Sequence, residues 1–410
     1  MYRLGELIQA SQRGDIAKIK YLVEEKNIDP QHRADDSRFR ASPLHMAAVY
    51  GHLNIVKYFV EDKNCDVMCE DKYGSVPLYY AAQGGNLDVV QYLIVERSCN
   101  PMIRGDRGRT PLHTACTGNH LDVIRFLVEE CKVDPSCVDA DGITPLHNAA
   151  RFGTLDMVRY LIEVQQCDAM IQRRTSGGNT PLHDAAYGGK LDIVQYLVSE
   201  QGCDPSCRGF KSKTPLHRAC DGGALSVVKY LLDDQKVDPT CRDENGATPL
   251  ILAAECGALE VVKYLAEDHQ CDVMCKKKNG SIPLHFAAAS GKISLVQYLT
   301  SERGCDPMYR GQYGRTPLHV ACQVGHLNVV KYLLDVHKVD PSCRDADHIT
   351  PLHIASVKGH LAIVKLLIED YLCDPAVKNK QGVSPLDWAR TDVAEYLSSI
   401  MNVVSSKCLS

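Results

Sequence analysis

Two residue types in this sequence could carry metal or redox chemistry, namely histidine and cysteine. The chain has 410 residues, with 16 histidines and 19 cysteines. Histidine nitrogen and cysteine sulfur are common ligands of zinc, and a cysteine thiolate is also a nucleophile and a redox group. Eight histidines recur at regular intervals and could be mistaken for a ladder of metal ligands: His45, His113, His147, His183, His217, His285, His319 and His353.

The cysteines recur in a similarly regular way. Three Cys-x-x-x-Cys pairs, at residues 65/69, 203/207 and 271/275, have a spacing that could suit a metal ion. At the equivalent positions elsewhere the chain has Ile, Val or Cys, for example Val133 and Val237. This pattern indicates a small buried apolar position, where a thiol packs as a small hydrophobic group. Cys131, Cys256 and Cys408 fall outside the recurring positions, and we expect Cys256 to be the most exposed.

The elements that position these residues are repeats. The dipeptide Pro-Leu recurs in phase, and its interval is 34 residues nine times and 36 residues once, between Pro145 and Pro181. A fixed period of this length is typical of a solenoid, in which each unit contacts mainly its neighbours. The length alone would suggest two or three separate domains, and the repeat pattern overrules that expectation.

The unit that begins at Thr110 shows how the sequence forms a pair of helices. Thr110 is a helix N-cap and Pro111 suits the first helical position, while residues 118–119 end the first helix. A second helix follows from Leu121, and residues 133–135 lead into an extended, hairpin-like finger. Two helices this short cannot bury enough surface alone, so the units must stack.

The repeated motif resembles that of the ankyrin-repeat family. Residues 316–327 read Thr-Pro-Leu-His-Val-Ala-Cys-Gln-Val-Gly-His-Leu, close to the family pattern Thr-Pro-Leu-His-x-Ala-Ala-x-x-Gly-His-Leu. The resemblance covers nearly the whole chain and implies an all-α solenoid of stacked helix-turn-helix units with hairpin-like fingers. Departures from the pattern are local: Tyr79, Ile251 and Asp387 replace the motif histidine, and Ser212 and His348 replace a fingertip glycine.

The ends of the array are predicted to be caps. Residues 1–39 form an N-terminal capping helix pair, and residues 40–381 form ten full repeats. Residues 382–397 form a shortened C-terminal capping repeat, and residues 398–410 a tail. Atypical terminal repeats fit the need for a polar outer face at each end of a stack. The prediction is therefore an array of about twelve units.

In such an array the histidines have a structural role. Neighbouring helices pack about 8–10 Å apart, whereas two ligands of one zinc ion lie within roughly 4 Å of each other. The resemblance implies that each motif histidine bonds the threonine hydroxyl and the backbone of the loop. We therefore predict no metal site and no cofactor.

The sequence also argues against several other functions. No Ser-His-Asp set or phosphate-binding loop is evident, so we expect no enzyme. The net charge of -5, from 46 Lys and Arg and 51 Asp and Glu, is unlike that of a nucleic-acid binder. No apolar run approaches the ~18 residues of a membrane span. We expect a monomer in the cytoplasm or nucleus, with reduced thiols.

Binding residues are expected where the repeats differ from one another. In ankyrin arrays these positions are the fingertips and the end of the first helix, which line a concave groove. Aromatic and arginine side chains are the usual anchors of protein interfaces. The first-helix candidates are Tyr50, Tyr80, Arg151, Phe152, Tyr187, Arg218 and Phe286.

The fingertips carry charges of both signs in a three-repeat rhythm. Acidic tips around Asp139 and Asp243 alternate with basic tips. An alternating field suits a protein or peptide partner of mixed charge, whereas a nucleic acid would need one continuous positive sign. The 36-residue unit has a longer finger near residues 175–178, which is either a tolerated loop insertion or a contact for the partner. The basic fingertip candidates are Arg104, Arg107, Arg109, Lys211 and Lys213.

Together these observations favour a non-enzymatic protein-binding scaffold or adaptor that uses the concave groove. Two other functions stay open at this point. The chain could be a secreted or injected effector of a symbiont, pathogen or virus that mimics host adaptors. It could also be a thiol-based sensor or metal buffer, which the number of reactive thiols in the folded protein would reveal.

Overall fold

The structure, a computed structural model, describes residues 2–31, 41–173 and 177–407. In this part of the chain the regular secondary structure is helical throughout, as the sequence predicted. Contacts divide the chain into two compact units, Met1–Phe210 and Lys211–Ser410. Of the longer finger predicted near residues 175–178, residues 175–176 lie outside the described residues, as does Cys408.

Each compact unit is a series of helix pairs. Except in the N-terminal helix Tyr2–Arg13, the first helix of a pair starts at the proline of the repeated motif. Proline suits this place because the first N–H groups of a helix have no acceptor within the helix. A preceding Thr or Ser in extended conformation caps most of these helices, as Thr144 does for His147 N–H. The first helices are Tyr2–Arg13, Pro43–Val49, Pro77–Gly84, Pro111–Gly118, Pro145–Phe152, Pro181–Gly188, Pro215–Asp221, Pro249–Cys256, Pro283–Ser290, Pro317–Val324 and Pro351–Lys358.

The second helix begins shortly after the first one ends, usually beyond a residue with positive φ such as Asn119 (φ 65). The second helices are Ile16–Lys20, Leu53–Lys57, Leu87–Gln91, Leu121–Arg125, Leu155–Arg159, Leu191–Gln195, Leu225–Lys229, Leu259–Glu267, Ile293–Gln297, Leu327–Asp335 and Leu361–Lys365. Most of them continue in a π-helical turn, namely Tyr21–Glu25, Tyr58–Asp62, Tyr92–Glu96, Phe126–Glu130, Tyr160–Val164, Tyr196–Glu200, Tyr230–Asp234, Tyr298–Glu302 and Leu366–Asp370.

Within each unit the first helices of consecutive repeats pack closely on one another. Pro145–Phe152 contacts Pro181–Gly188 in the first unit, and Pro249–Cys256 contacts Pro283–Ser290 in the second. The motif leucine and the alanines of these helices are fully buried, as at Leu182. Small residues allow this close approach, and the motif leucines supply much of the buried apolar surface. The stacking that the short helices required is thus present.

The second helices are joined by a repeated hydrogen bond that we call the tyrosine link. The hydroxyl of a tyrosine in the second half of such a helix, usually at the start of the π-helical turn, donates to a carboxylate of the preceding repeat, as Tyr160 does to Glu129 at 2.8 Å. The residue five positions later often donates to the same hydroxyl, as Gln165 does to Tyr160 at 2.9 Å. Burial and the carboxylate raise the pKa of Tyr160 to about 12, so the hydroxyl stays a donor at neutral pH. Equivalent carboxylate bonds are made by Tyr58, Tyr92, Tyr196, Tyr264 and Tyr298.

The fingers are stabilised by their own acidic residues. Asp139 lies buried and accepts backbone N–H bonds from Asp141 at 2.9 Å and Ile143 at 2.8 Å. Adjacent fingers also bond to each other, since Ala140 N–H donates to the carbonyl of Arg107 at 2.9 Å. Where Ser212 and His348 replace a glycine, they keep the left-handed conformation, with φ of 57 and 60. Ser212 and His348 therefore adopt the same type of backbone conformation as the fingertip glycines.

At the C-terminal end the pattern changes. Residues 385–388 form a turn where the preceding repeats have a first helix, and the Asp387 carboxylate accepts the Ser384 N–H at 2.7 Å. The final helix is Thr391–Lys407, which continues across the boundary predicted at residue 397. Asp387 thus takes over the capping contact that the motif histidine makes elsewhere.

We predict that Leu216→Ala and Leu318→Ala each lower the free energy of unfolding by about 2–5 kcal/mol, because both side chains are fully buried between helices. Urea unfolding followed by circular dichroism measures this change. Val324→Ala, at a position that is exposed, is the matched control and should change stability by less than about 1 kcal/mol. An equal loss in all three variants would contradict the assignment of the leucines to the core.

Candidate protein-binding surface

In the first unit, three of the predicted anchors form one cluster, the Arg151 cluster. Arg151 and Phe152 end one first helix, and Tyr187 lies near the end of the next. The Arg151 guanidinium lies 5.0 Å from the centre of the Phe152 ring and 4.4 Å from that of Tyr187. Phe152 is 43% exposed. A half-buried arginine between aromatic rings combines the residue types that dominate the energetics of protein interfaces.

The helix that carries Tyr187 also holds a buried charge. Asp184 has no exposed side-chain surface and forms an ion pair with Arg173, which comes from the finger. Arg173 is itself largely buried. A buried pair of this kind ties the base of the finger to the first helix, because leaving either charge alone would be costly. Polar groups therefore lie beside the aromatic ones in this part of the first-helix face.

In the second unit, Phe286 lies at the edge of a cavity of about 240 Å³. Lys277 extends its ammonium group over the Phe286 ring, 4.2 Å from the centre, and also pairs with Glu255 at 3.0 Å. Tyr313, Arg315 and other residues of the first helices and fingers complete the lining. The cavity thus combines aromatic surface with groups that form hydrogen bonds. This composition suits recognition of a partner side chain.

Arg218 and Lys213 also meet in the second unit. Both bond the same carboxylate oxygen of Asp221, at 3.0 Å for Arg218 and 3.2 Å for Lys213. Arg218 is only partly exposed. Arg218, a predicted first-helix anchor, and Lys213, a predicted fingertip residue, therefore share the same carboxylate partner.

The two remaining first-helix candidates differ in exposure. Tyr50 follows its helix and is 56% exposed. Tyr80 is half-buried, and its hydroxyl donates to Asp71 at 2.8 Å while its ring packs edge-on against His45. Tyr50 presents its ring to solvent, whereas Tyr80 contributes to the contact between helix and finger.

The basic fingertip residues bond largely to their own and neighbouring fingers. Arg104 donates to the carbonyls of Gly108 and Val138, each at 2.8 Å. Arg109 lies 3.5 Å from the buried carboxylate of Asp139. Arg107 and Lys211 are exposed, and the Arg107 guanidinium is 3.9 Å from the Asp141 carboxylate. Much of the positive charge at these tips is therefore matched by neighbouring acceptors.

The motif histidines make the contacts that the family resemblance implied. His113 Nδ1 lies 2.9 Å from the Thr110 hydroxyl, and Nε2 lies 3.0 Å from the carbonyl oxygen of Ile143. Because a carbonyl can only accept, Nε2 carries the proton and Nδ1 accepts. Burial lowers the pKa of His113 and lowers the pKa of His147 and His319 to about 4. These rings are therefore neutral structural groups.

The cysteines occupy mostly buried positions. Cys116, Cys220 and Cys322 are fully buried, and burial raises their pKa well above the ordinary value. Cys256 is exposed, as expected, and its thiol donates to the carbonyl of Cys220 at 3.2 Å. Burial raises the pKa of the Cys256 thiol as well. A raised pKa keeps a thiol protonated and poorly nucleophilic.

Two further absences apply to the described residues. Among them, no three His, Cys, Asp or Glu side chains lie close enough together to hold a metal ion. No helix within the described ranges has both the length and the apolar character needed to cross a bilayer.

The comparison with known families agrees with this geometry. A family model described as ankyrin repeats (3 copies) matches residues 7–105, 131–209, 201–277, 268–345 and 336–405. A second model, described as ankyrin repeats (many copies), matches residues 94–147. The chain belongs to the ankyrin-repeat family. A search of curated proteins finds no matching relative.

Membership in the ankyrin-repeat family has a general functional meaning. Ankyrin repeats are binding modules for other proteins and are generally non-enzymatic. The ankyrin frame explains the motif Thr, Pro, Leu and His residues, as the bonds of His113 show. The ankyrin frame does not explain other side chains, such as those of the Arg151 cluster. These side chains are candidates for contacts with a specific partner.

We predict that acid destabilises this ankyrin array between pH 6.5 and pH 4. The pKa of His147 and His319 falls from 6.5 to about 4 on folding, so their contribution is complete above pH 6.5 and is lost as the pH falls toward 4. The loss at pH 5 should be about 2 kcal/mol for each of the two rings. Urea unfolding at pH 7.5 and pH 5 measures it.

A matched pair of variants tests the source of this pH dependence. His147→Gln removes one buried ring and should make stability depend less on pH. The control is His348→Asn, which changes an exposed ring at a fingertip and should leave the pH dependence as it is. If both variants kept the full pH dependence, the buried His147 ring would not be its source.

We also predict that about three or fewer thiols react quickly in the folded ankyrin array, with Cys256 first among the described cysteines. Twelve described cysteines are buried and should react only as the chain unfolds. Counting reactive thiols in buffer and in urea measures this, and Cys256→Ser should remove one of the fast-reacting thiols. Rapid reaction of most of the 19 thiols would instead support the sensor or metal buffer.

Proposed function

We propose that this chain is a non-enzymatic scaffold or adaptor that recognises a protein or peptide partner through the groove side of its ankyrin repeats. The observation that supports this most directly is the Arg151 cluster, with a guanidinium 4.4 Å from the Tyr187 ring centre. Fixed aromatic and arginine groups lose little conformational freedom on binding, which is why they recur as interface anchors.

Within this proposal the other candidates extend the same surface in each unit. Tyr50 supplies exposed aromatic area in the first unit. Phe286 and Arg218 supply an aromatic and a charged contact in the second. Arg107 and Lys211, the exposed basic fingertips, act as rim charges that set the association rate and specificity more than affinity. We propose that the scaffold acts as a monomer.

We place this scaffold in the cytoplasm or the nucleus. The support is the chemistry of its cysteines, because the described ones are thiols rather than disulfides. Such a composition suits a reducing compartment. Subcellular fractionation of the producing cells would test this placement separately from the binding proposal.

We predict that Phe152→Ala/Tyr187→Ala reduces partner binding and leaves the midpoint of thermal unfolding nearly unchanged. Both rings lie at the surface end of their helices, and their contact with Arg151 is worth about 1 kcal/mol or less. Affinity purification from native lysate with both proteins as bait measures the effect. Val324→Ala, at an exposed position of the second unit, is the control and should retain the partner.

The outcomes separate the alternatives. A protein retained by the native chain and lost by the double variant would support the proposal and locate the site. Equal retention by both would move the site away from the Arg151 cluster, toward the fingertips. A large drop in thermal stability would show that the rings belong to the core. If no protein is retained, a lysate of a candidate host would test the effector function.

A further inference from the structure

The tyrosine link is replaced at one repeat of the first unit. Phe126 stands where Tyr92 and Tyr160 stand in the repeats before and after it, so its ring has no hydroxyl to donate. Val95 occupies the position of the accepting carboxylate, which is Glu61 for Tyr92 and Glu129 for Tyr160. An acceptor and its donor are thus both replaced by apolar side chains.

The third position of the link changes in the same repeat. Cys131 lies five residues after Phe126, where Arg97 and Gln165 donate to the tyrosine hydroxyl in the adjacent repeats. Sulfur is a weak hydrogen-bonding group and packs as an apolar one. All three members of the link are therefore apolar together. This joint change converts one polar contact between repeats into an apolar surface.

Another repeat shows that loss of the tyrosine need not remove the link. Leu366 occupies the tyrosine position there, but Tyr371, five residues later, donates its hydroxyl to the same carboxylate position, Asp335. The polar contact between repeats is kept by a different route. In the repeat of Phe126 the acceptor position and the third position, Val95 and Cys131, are apolar instead. Because the repeat of Leu366 stacks with a polar contact, stacking does not require the apolar side chains found at Phe126.

Two of the three substitutions, Val95 and Phe126, line a groove of about 380 Å³ on the second helices of the first unit, the Phe126 groove. Val95 is 68% exposed at its edge, and Phe126 is half-buried. Exposed apolar side chains that adjoin a groove are typical of places where another molecule binds. The lining residues are Leu53, Asp88, Gln91, Tyr92, Val95, Glu96 and Phe126.

The charge of the Phe126 groove indicates what it can accept. Its charged lining residues, Asp88 and Glu96, are both acidic and both exposed. Lys57 lies 3.7 Å from Glu96 and offsets part of its charge. The carboxylate of Asp88 accepts the backbone N–H of Val89 at 2.8 Å. An apolar surface edged by carboxylates fits a ligand that is apolar with positive charge beside it.

We propose that the Phe126 groove is a second docking site, which binds a partner protein segment presenting an aliphatic or aromatic side chain next to Lys or Arg. The apolar side chain packs against Phe126 and Val95, and the cationic group pairs with Asp88. The site is formed by second helices, so it is separate from the Arg151 cluster on the first helices. The two sites together would allow the scaffold to hold two partners.

An array of short synthetic peptides tests this proposal with the full-length protein. Each peptide carries one Leu, Ile, Phe or Trp in a Gly-Ser background, flanked by Lys and Arg in one set and by Asp and Glu in the other. We expect the native chain to retain members of the basic set and none of the acidic set. The triple variant Val95→Glu/Phe126→Tyr/Cys131→Gln should bind the retained peptides at least about tenfold more weakly.

The triple variant is chosen so that it does not fail by unfolding. It introduces the same residues that form the next tyrosine link, Glu129, Tyr160 and Gln165, so the melting temperature should be unchanged or higher. The control is Tyr196→Phe, which removes one hydroxyl elsewhere and leaves Glu163 and Gln201 polar. It alters a link that is present in the structure and should leave peptide affinity unchanged.

Several results would overturn the proposal. These are retention of no basic peptide, equal retention of basic and acidic peptides, or equal affinity of the native chain and the triple variant. Concentration-dependent dimerisation that the triple variant abolishes would mean that a second copy fills the groove. Phe152→Ala/Tyr187→Ala should bind the basic peptides normally, so failure at one site is distinguishable from failure at the other.

Discussion

Within each compact unit, the burial of apolar side chains shared by consecutive repeats is the constraint on which the rest of the structure depends. A first helix such as Pro181–Gly188 has only eight residues, which is too short to be stable in water alone. Leu182 is fully buried in the stack. The positions that mediate stacking must therefore stay small or apolar in every repeat. Residues at the helix ends and fingertips do not mediate stacking, so their side chains can vary.

Two sets of directional hydrogen bonds fix how consecutive repeats sit on each other. On the first helices, a neutral histidine such as His113 joins the threonine cap of one repeat to the finger carbonyl of Ile143 in the next. On the second helices, Tyr160 reaches back to Glu129. A buried polar group must be satisfied, so these bonds allow few alternative registers. Apolar burial supplies the stability, and these bonds supply the register.

The repeat itself offers a way to separate structural from functional residues. Since stacking explains what every repeat shares, a side chain that departs from the repeat calls for another explanation. Arg151 and Tyr187 depart by adding interface-type groups at the surface. Val95 and Phe126 depart by removing a polar bond that the adjacent repeats keep. These two departures lie on different helices of the first unit and support two different binding proposals.

Sequence reasoning located the frame but missed several contacts within it. In the sequence a tyrosine recurs about every 34 residues, and so does an acidic residue that lies one repeat earlier. The pattern did not show that these two residues bond to each other. The sequence pattern also did not show that His120 bonds the carbonyl of Gln83 in the preceding repeat, at 2.9 Å. Among the candidate site residues, the sequence predicts Arg104 as a charge for a partner, and the structure shows it bridging two fingers.

The sequence by itself determined the fold class, the repeat length and the course of each helix pair. These features depend on local signals, such as Pro111 at a helix start and the turn at Asn119, which act within a few residues. The tertiary structure alone decided which side chains meet across repeats. Arg151 and Tyr187 are 36 positions apart, and their contact exists only because stacking places their helices side by side. Interactions between repeats depend on this geometry, which no local signal encodes.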